Sequence, residues 1–188
     1  MTDLSEIDLM HEIAVGNRSA FNQLFLRYYS RLCSFASFIV RDEAASEEVV
    51  SEVLLNIWKN RKTIHIQSSV RAYLFTCVRN EALRAVKQKN MILIKPEDDA
   101  LQTLSDDYDP HESLEFQELE NNVHFVIGSL PEKCKQFFML SRFDGLKYSE
   151  IAQLYNVSEK TVENQIIKAL KILRERILET PKRHFTSP

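Results

Sequence analysis

The side chains with chemistry to offer fall at helical spacing in three stretches of this chain. Near the C-terminus, Lys160, Asn164, Ile167, Lys171 and Arg174 share one arc of a helical wheel, with Glu163 and Lys168 at its margins. A carboxamide matches the donor and acceptor edge of adenine, a carboxylate accepts from the amino group of cytosine, and an aliphatic side chain meets the methyl group of thymine. Lysine and arginine reach phosphates or guanine. An exposed isoleucine amid such groups has the makings of a major-groove reading face. The competing reading is an ordinary solvated face with one stray apolar residue.

A second stripe, Tyr73, Thr76, Asn80, Arg84 and Lys87, puts an aromatic ring, a hydroxyl, an amide and two cations on one side of a helix. Unpaired bases stack on aromatics or are held by amide hydrogen bonds while cations hold the phosphates, so this set suits melted DNA. A solvated helix face competes with that reading on equal terms. The third stretch centres on Leu55, which falls outside the apolar arc of its helix and sits beside Glu48, Ser51, Glu52 and Lys59. An exposed apolar residue bordered by acids suits a protein helix better than nucleic acid.

The first stripe follows a motif with a clear mechanical reading. Residues 148–162 read as two helices joined by a turn short enough only for a helix-turn-helix. Ala152 is small where the second helix would cross, and Asn156 tolerates the left-handed conformation the turn needs. Ser158 can cap the next helix, and Ile151, Leu154, Val157 and Val162 supply apolar contacts. Beyond the turn, Val162, Ile166, Ala169, Leu170, Leu173 and Ile177 form the arc expected to face the core.

These surfaces need helices to carry them, and the composition supplies them. Among 188 residues there are only three glycines and five prolines, and apolar residues recur at three- and four-residue spacing with no alternating strand pattern. An all-α protein of two small domains is expected. The N-terminal unit reads as helices at 5–15, 19–40, 42–59 and 68–89, with Asp42 and Ser68 as N-caps and breaks at Gly16-Asn17, Arg41 and around His65. In its second helix Phe21, Leu24, Phe25, Tyr28, Leu32, Phe35, Ala36 and Ile39 form a core stripe. The buried arcs of the next two are Val49, Val50, Val53, Leu54 and Ile57 edged by Trp58, and Val70, Leu74, Cys77, Val78, Ala82 and Ala85. Helices at 113–128, 131–143, 148–154 and 158–179 follow, with Pro131 in a first turn and Gly145 at a stop.

Charge divides the chain in the same way. Residues 1–95 hold 13 basic and 10 acidic side chains, 96–122 hold none and 10, and 123–188 hold 11 and 7, for an overall net charge of -3. Two mildly basic units, 1–92 and 113–188, therefore flank an acidic, self-repelling connector at 93–112, which is expected to be flexible. Apolar stretches such as 35–40 fall well short of the ~20 residues a membrane span needs, and the acidic N-terminus is unlike a leader, so a soluble cytoplasmic protein is expected. Three scattered cysteines read as reduced core residues, and the five histidines show no ligand spacing, so no metal or cofactor is expected. No nucleophile elbow or phosphate loop occurs, which argues against an enzyme and against a small-molecule substrate.

Taken in order, the motifs resemble the extracytoplasmic-function sigma factors of bacterial RNA polymerase, over nearly the whole chain. Residues 46–58 (Ser-Glu-Glu-Val-Val-Ser-Glu-Val-Leu-Leu-Asn-Ile-Trp) resemble the polymerase-binding helix, and 71–80 (Arg-Ala-Tyr-Leu-Phe-Thr-Cys-Val-Arg-Asn) the segment that recognises the upstream edge of the melted region. Leu130-Pro131, residues 143–152 and Thr161-Val162 resemble the domain that binds the minus-35 element. The resemblance implies that Glu48, Ser51, Glu52 and Leu55 meet the clamp helices of the largest polymerase subunit. It implies that the second domain meets the flap of the other large subunit and promoter DNA, through Ser158, Lys160, Thr161, Glu163, Asn164, Ile167, Lys168 and Lys171. Tyr73, Thr76, Asn80, Arg84 and Lys87 would serve the minus-10 region, the connector would follow the RNA exit path, and a membrane-bound anti-sigma factor is an expected partner. The chain departs from the family pattern at Ser51, where Gln is common, at Tyr73, where Trp is common, and at Glu163 and Gln165, where basic residues are common. A stand-alone helix-turn-helix regulator, dimerising or sensing a ligand through its N-terminal helices, would share the C-terminal motif. A helical adaptor that never touches DNA is a third reading. Two separate DNA-suited stripes and the acidic connector favour the sigma factor.

Overall fold

The computed structural model describes residues 5–66, 69–92 and 126–179, which are helix and turn without a strand. Contacts gather the chain into two units, Met1–Pro96 with Ser149–Asn156 and Glu97–Tyr148 with Val157–Pro188. The acidic connector, most of the helix expected at 113–128 and the expected cap Ser68 lie outside the described residues. Among the described residues no helix is long and apolar enough to cross a membrane.

In the first unit, α1 (Glu6–Ala14), α2 (Arg18–Val40), α3 (Glu43–Lys59) and α4 (Val70–Ile92) pack together, and α2 touches the other three. Local chemistry sets their ends. Ser5 accepts from the Asp8 N–H at 3.2 Å, Asn17 from Ser19 and Ala20 at 3.0 and 3.2 Å, and Asp42 from Ala45 at 2.9 Å. Each bond satisfies a donor the first helical turn leaves orphaned. Ser69 caps α4, accepting from the Ala72 N–H at 3.1 Å. Between α2 and α3 only Arg41 and Asp42 intervene. Arg41 adopts a left-handed φ of 56°, and its N–H returns to the Ser37 carbonyl at 3.0 Å.

The core of this unit is made by Leu9, Ile13, Leu24, Tyr28, Leu32, Val50, Leu54, Leu74 and Phe75, all nearly or fully inaccessible. Phe35 meets Phe75 edge-on, with ring centroids 5.0 Å apart. Phe75 falls outside the arc expected from the sequence, while Cys77, inside that arc, is only half-buried. The buried side of α4 is centred near Val78 rather than Leu74, because α1, α2 and α3 all pack on this helix.

A polar tie lies at the margin of this core, with Glu6 and Arg71 half-buried. The Tyr28 hydroxyl donates to Glu6 Oε1, and Arg71 Nη2 donates to the same oxygen at 2.8 Å. Burial would raise the Glu6 pKa, but the hydrogen bonds from Tyr28 and Arg71, with the charges of Arg71 and Arg27, hold it below the ordinary 4.5. Burial first, and then Glu6, push Tyr28 up to about 12, so it stays a donor. A carboxyl with a depressed folded-state pKa stabilises the fold above its unfolded pKa, and loses that contribution as pH falls through the folded value. Glu6→Gln is therefore expected to be less stable than the parent in denaturant melts at neutral pH. The gap should close as pH drops below 4.5; a gap that stays constant would remove Glu6 from the account of acid stability.

In the second unit α5 (Glu132–Arg142) packs on α7 (Glu159–Glu179). Val126, Ile127, Leu130, Cys134, Phe138, Ala169 and Leu173 form one buried cluster. Pro131 stands at the N-cap position, one residue before the turn expected to contain it. After α5, Gly145 takes a φ of 67°, and the Leu146 N–H turns back to the Leu140 carbonyl at 2.9 Å, a stop that a residue with a Cβ would strain.

Candidate nucleic-acid and protein interfaces

The helix α6 (Tyr148–Tyr155) leads into α7 through three residues. Asn156 has a φ of 53°, the left-handed conformation that its short amide side chain tolerates. Ser158 then caps α7, its Oγ accepting from the Thr161 N–H at 3.1 Å and lying 2.8 Å from Thr161 Oγ1. Ile151, Ala152 and Leu154 on α6 and Val162 on α7 are buried, but Val157 is exposed. It sits in the turn between Asn156 and the cap, off the inner face of either helix.

Along α7, Val162, Ile166, Ala169 and Leu173 are buried. Leu170, placed on that arc by the wheel, is exposed; at 3.6 residues per turn it lies roughly 70° from the arc's centre, beyond the reach of α5. The side chain of Ile177 lies outside the described ones. On the far side Lys160, Asn164, Ile167, Lys168, Lys171 and Arg174 are exposed, Ile167 by 55%. Lys160 Nζ pairs with Glu163 Oε2 at 2.7 Å and Lys171 Nζ with Glu175 Oε1 at 3.9 Å. Exposed pairs of this kind are worth ~0–1 kcal/mol, so an approaching phosphate competes for both lysines at little cost. Gln165 turns away from this face and accepts a hydrogen bond from the buried Cys134 thiol at 2.9 Å.

On α4 the predicted stripe stands opposite the buried side. Thr76, Asn80, Arg84 and Lys87 are exposed, and from Tyr73 to Lys87 the stripe runs about 21 Å at 1.5 Å per residue, enough for several nucleotides. Thr76 Oγ1 donates to the Ala72 carbonyl at 2.7 Å and keeps lone pairs for a ligand. Arg84 lies 3.6 Å from Glu81. Tyr73 is half-buried beside Cys77, and burial, then the neighbouring thiol, push its pKa up to about 12. Its ring is thus partly fixed and its hydroxyl stays protonated.

On α3, Glu48, Ser51, Glu52 and Leu55 are all exposed along one face, Leu55 by 49%. This face continues onto α2. Phe21 meets Trp58 at 5.1 Å, the Tyr29 hydroxyl lies beside Ser51, and Cys33 lies near Glu47. These pairs step forward along α2 as they step back along α3, so the helices are antiparallel and Leu26 comes level with Leu55. Leu26 is 73% exposed. Sequence reasoning passed over it, although it lies outside the stripe of its own helix just as Leu55 does. Arg61 stacks over the Trp58 ring at 4.5 Å and donates to the Trp58 carbonyl at 2.8 Å, closing the end of this two-helix surface.

No group of three His, Cys, Asp or Glu among the described residues is placed to hold a metal ion, and the three cysteines are free thiols. Cys134 is buried, whereas Cys33 and Cys77 are only half-buried, short of the core positions expected of them. The surfaces with chemistry to offer are helix faces suited to binding, among them a helix-turn-helix, and together they describe a helical DNA-binding protein.

Comparison with known proteins makes the class specific. Residues 24–91 match the family described as Sigma-70 region 2 and residues 120–173 the family described as Sigma-70, region 4, together more than half of the chain. The ECF RNA polymerase sigma-E factor of Haemophilus influenzae is 24% identical, over 93% of this chain and 96% of that protein. The RNA polymerase sigma-H factor of Pseudomonas aeruginosa is 23% identical, over 90% and 92%. In fold the chain is similar to the sigma factor RpoE of Bartonella quintana in complex with the anti-sigma factor NepR, with TM-score 0.62, 19% identity, and coverage of 86% of this chain and 98% of that one. It is also similar to CnrH in complex with the cytosolic domain of CnrY, with TM-score 0.58, 22% identity, and coverage of 94% and 99%. The chain belongs to the extracytoplasmic-function sigma factors, with sigma-70 regions 2 and 4. Its function is promoter recognition by RNA polymerase and the initiation of transcription, without an enzymatic activity of its own.

Proposed function

We propose that the chain divides this work between its two ends. Residues 1–92 bind core polymerase and the minus-10 region, residues 113–188 bind the minus-35 element, and the acidic stretch at 93–112 follows the path that RNA later takes. The observation that carries this reading is the exposed face of α7, where Asn164 and Ile167 stand amid lysines directly after a capped left-handed turn. Ser158, Lys160, Thr161, Glu163, Asn164, Ile167, Lys168 and Lys171 form the minus-35 set. Side chains near the start of such a helix reach base edges in the major groove, and the cations around them reach phosphates.

Tyr73, Thr76, Asn80, Arg84 and Lys87 take the unpaired strand at the minus-10 region, by stacking, amide bonding and phosphate contact. Glu48, Ser51, Glu52 and Leu55 meet the clamp helices of the largest polymerase subunit, and Leu26 extends that surface across the seam with α2. The second domain also meets the flap of the other large subunit. The protein works in the cytoplasm, where polymerase is. The similar sigma factor RpoE in complex with the anti-sigma factor NepR supports a comparable inhibitor for this chain, and the similar CnrH in complex with the cytosolic domain of CnrY is in keeping with an inhibitor anchored at the membrane.

Transcription by purified core polymerase and the full chain on a randomised promoter library tests the reading. Two enriched elements at a fixed spacing are expected. Core-independent binding to a palindrome, without polymerase-dependent transcripts, would instead make this a stand-alone regulator.

A further inference from the structure

The tie between Glu6, Tyr28 and Arg71 lies behind the stripe on α4 that faces melted DNA. Arg71 sits in the first turn of α4, two residues before Tyr73. Successive residues of a helix are about 100° apart, so Arg71 points to nearly the opposite side of the helix from the aromatic ring. There it meets the Glu6 carboxylate from α1 and the Tyr28 hydroxyl from α2, whose side chain is 1% exposed. Three helices thus meet at one carboxylate oxygen. α1 precedes the region 2 match, which begins at residue 24.

We propose that Glu6 and Tyr28 are positioning residues for promoter melting: by holding Arg71 from behind, they set the roll of α4 that presents Tyr73 and Thr76 to the unpaired strand. The inference rests on the reading of α4 given above. Apolar contacts, such as those of Leu9 and Ile13, hold α1 in place but are non-directional and tolerate small rotations. A charge-assisted hydrogen bond is short and directional, and does not. With side chains reaching about 5 to 6 Å from the helix axis, a roll of about 20° would carry the Tyr73 ring about 2 Å from its place. A misplacement of that size is costly wherever a bound group must be held in register.

The test uses the full chain with core polymerase and two shape-preserving variants, Glu6→Gln and Tyr28→Phe, each assayed well below its own melting transition, so that the stability lost with the tie does not enter, and each checked for core affinity. Open-complex formation is read by permanganate reactivity on a duplex promoter and on the same promoter with its melted region opened by mismatches. Both variants are expected to lose about tenfold in opening on the duplex, to bind core as the parent does, and to recover on the mismatched template. Tyr73→Ala and Asn80→Ala are measured beside them. If these lose opening while Glu6→Gln and Tyr28→Phe match the parent on the duplex, the proposal is overturned and the α4 reading stands. If Tyr73→Ala and Asn80→Ala also open normally, the α4 reading fails and takes the proposal with it. A deficit of equal size on the mismatched template would reduce the tie to general stability and overturn the positioning role.

Discussion

Leu55→Arg is expected to weaken binding to core polymerase by about thirtyfold, the ~2 kcal/mol typical of a well-packed anchor residue, while thermal stability stays near that of the parent. Leu55 lies outside the buried arc of α3 and is half-exposed, so its replacement leaves no cavity. The arginine enters a face that already carries Glu48 and Glu52, which can accommodate it locally. On the proposed reading an apolar contact would be lost and a cation would face a partner surface that acidic neighbours suit to be basic. Leu26→Arg, level with it across the helix seam, should act in the same direction. Affinity from fluorescence titration with purified core is the measurement, and an unchanged value for Leu55→Arg would remove α3 from the interface.

Asn164→Ala is expected to cost about 1 to 3 kcal/mol at one base position of the minus-35 element and little elsewhere. Lys171→Ala should weaken binding to every promoter sequence by a similar factor and flatten the salt dependence by about one charge. The contrast follows from reach. Asn164 stands in the middle of the exposed arc near the start of α7, where side chains of a DNA-reading helix would reach base edges, and its amide offers a donor and an acceptor together. Lys171 lies two turns further on and pairs loosely with Glu175 at 3.9 Å, which suits a contact to the backbone. Binding measured across single-base promoter variants separates the two. Equal losses at every position for Asn164→Ala would argue against base readout.

Much of the fold was legible because helix ends are written locally. Asp42, Asn156, Ser158 and Gly145 each do what a cap, a left-handed turn or a stop requires, and each residue type has few alternatives for that task. The exposed isoleucine and leucine were legible too, since a wheel needs only the position of the buried arc. Where that arc was misplaced, the cause was tertiary. Phe75 is buried because α4 is covered by three helices at once, and Leu170 is exposed because α5 covers only a narrow strip of α7.

Long-range polar pairs were not legible at all. Glu6 and Arg71 are 65 residues apart, and Cys134 and Gln165 are 31 apart. Charged and polar residues are common enough that nothing marks which will meet until the helices are packed. The Lys160–Glu163 pair is different. Its three-residue spacing on one helix announces it, and it sets Lys160 against the carboxylate at a position where the family commonly has a basic residue.

The two-residue link between α2 and α3 has a mechanical meaning. Asp42 caps α3 through the Ala45 N–H, and its other carboxylate oxygen lies 3.9 Å from Lys89 near the far end of α4. With only Arg41 and Asp42 between the two helices, and Arg41 in its left-handed turn, a pull on α3 would pass to α2 through two residues of backbone, leaving little chain length to take it up.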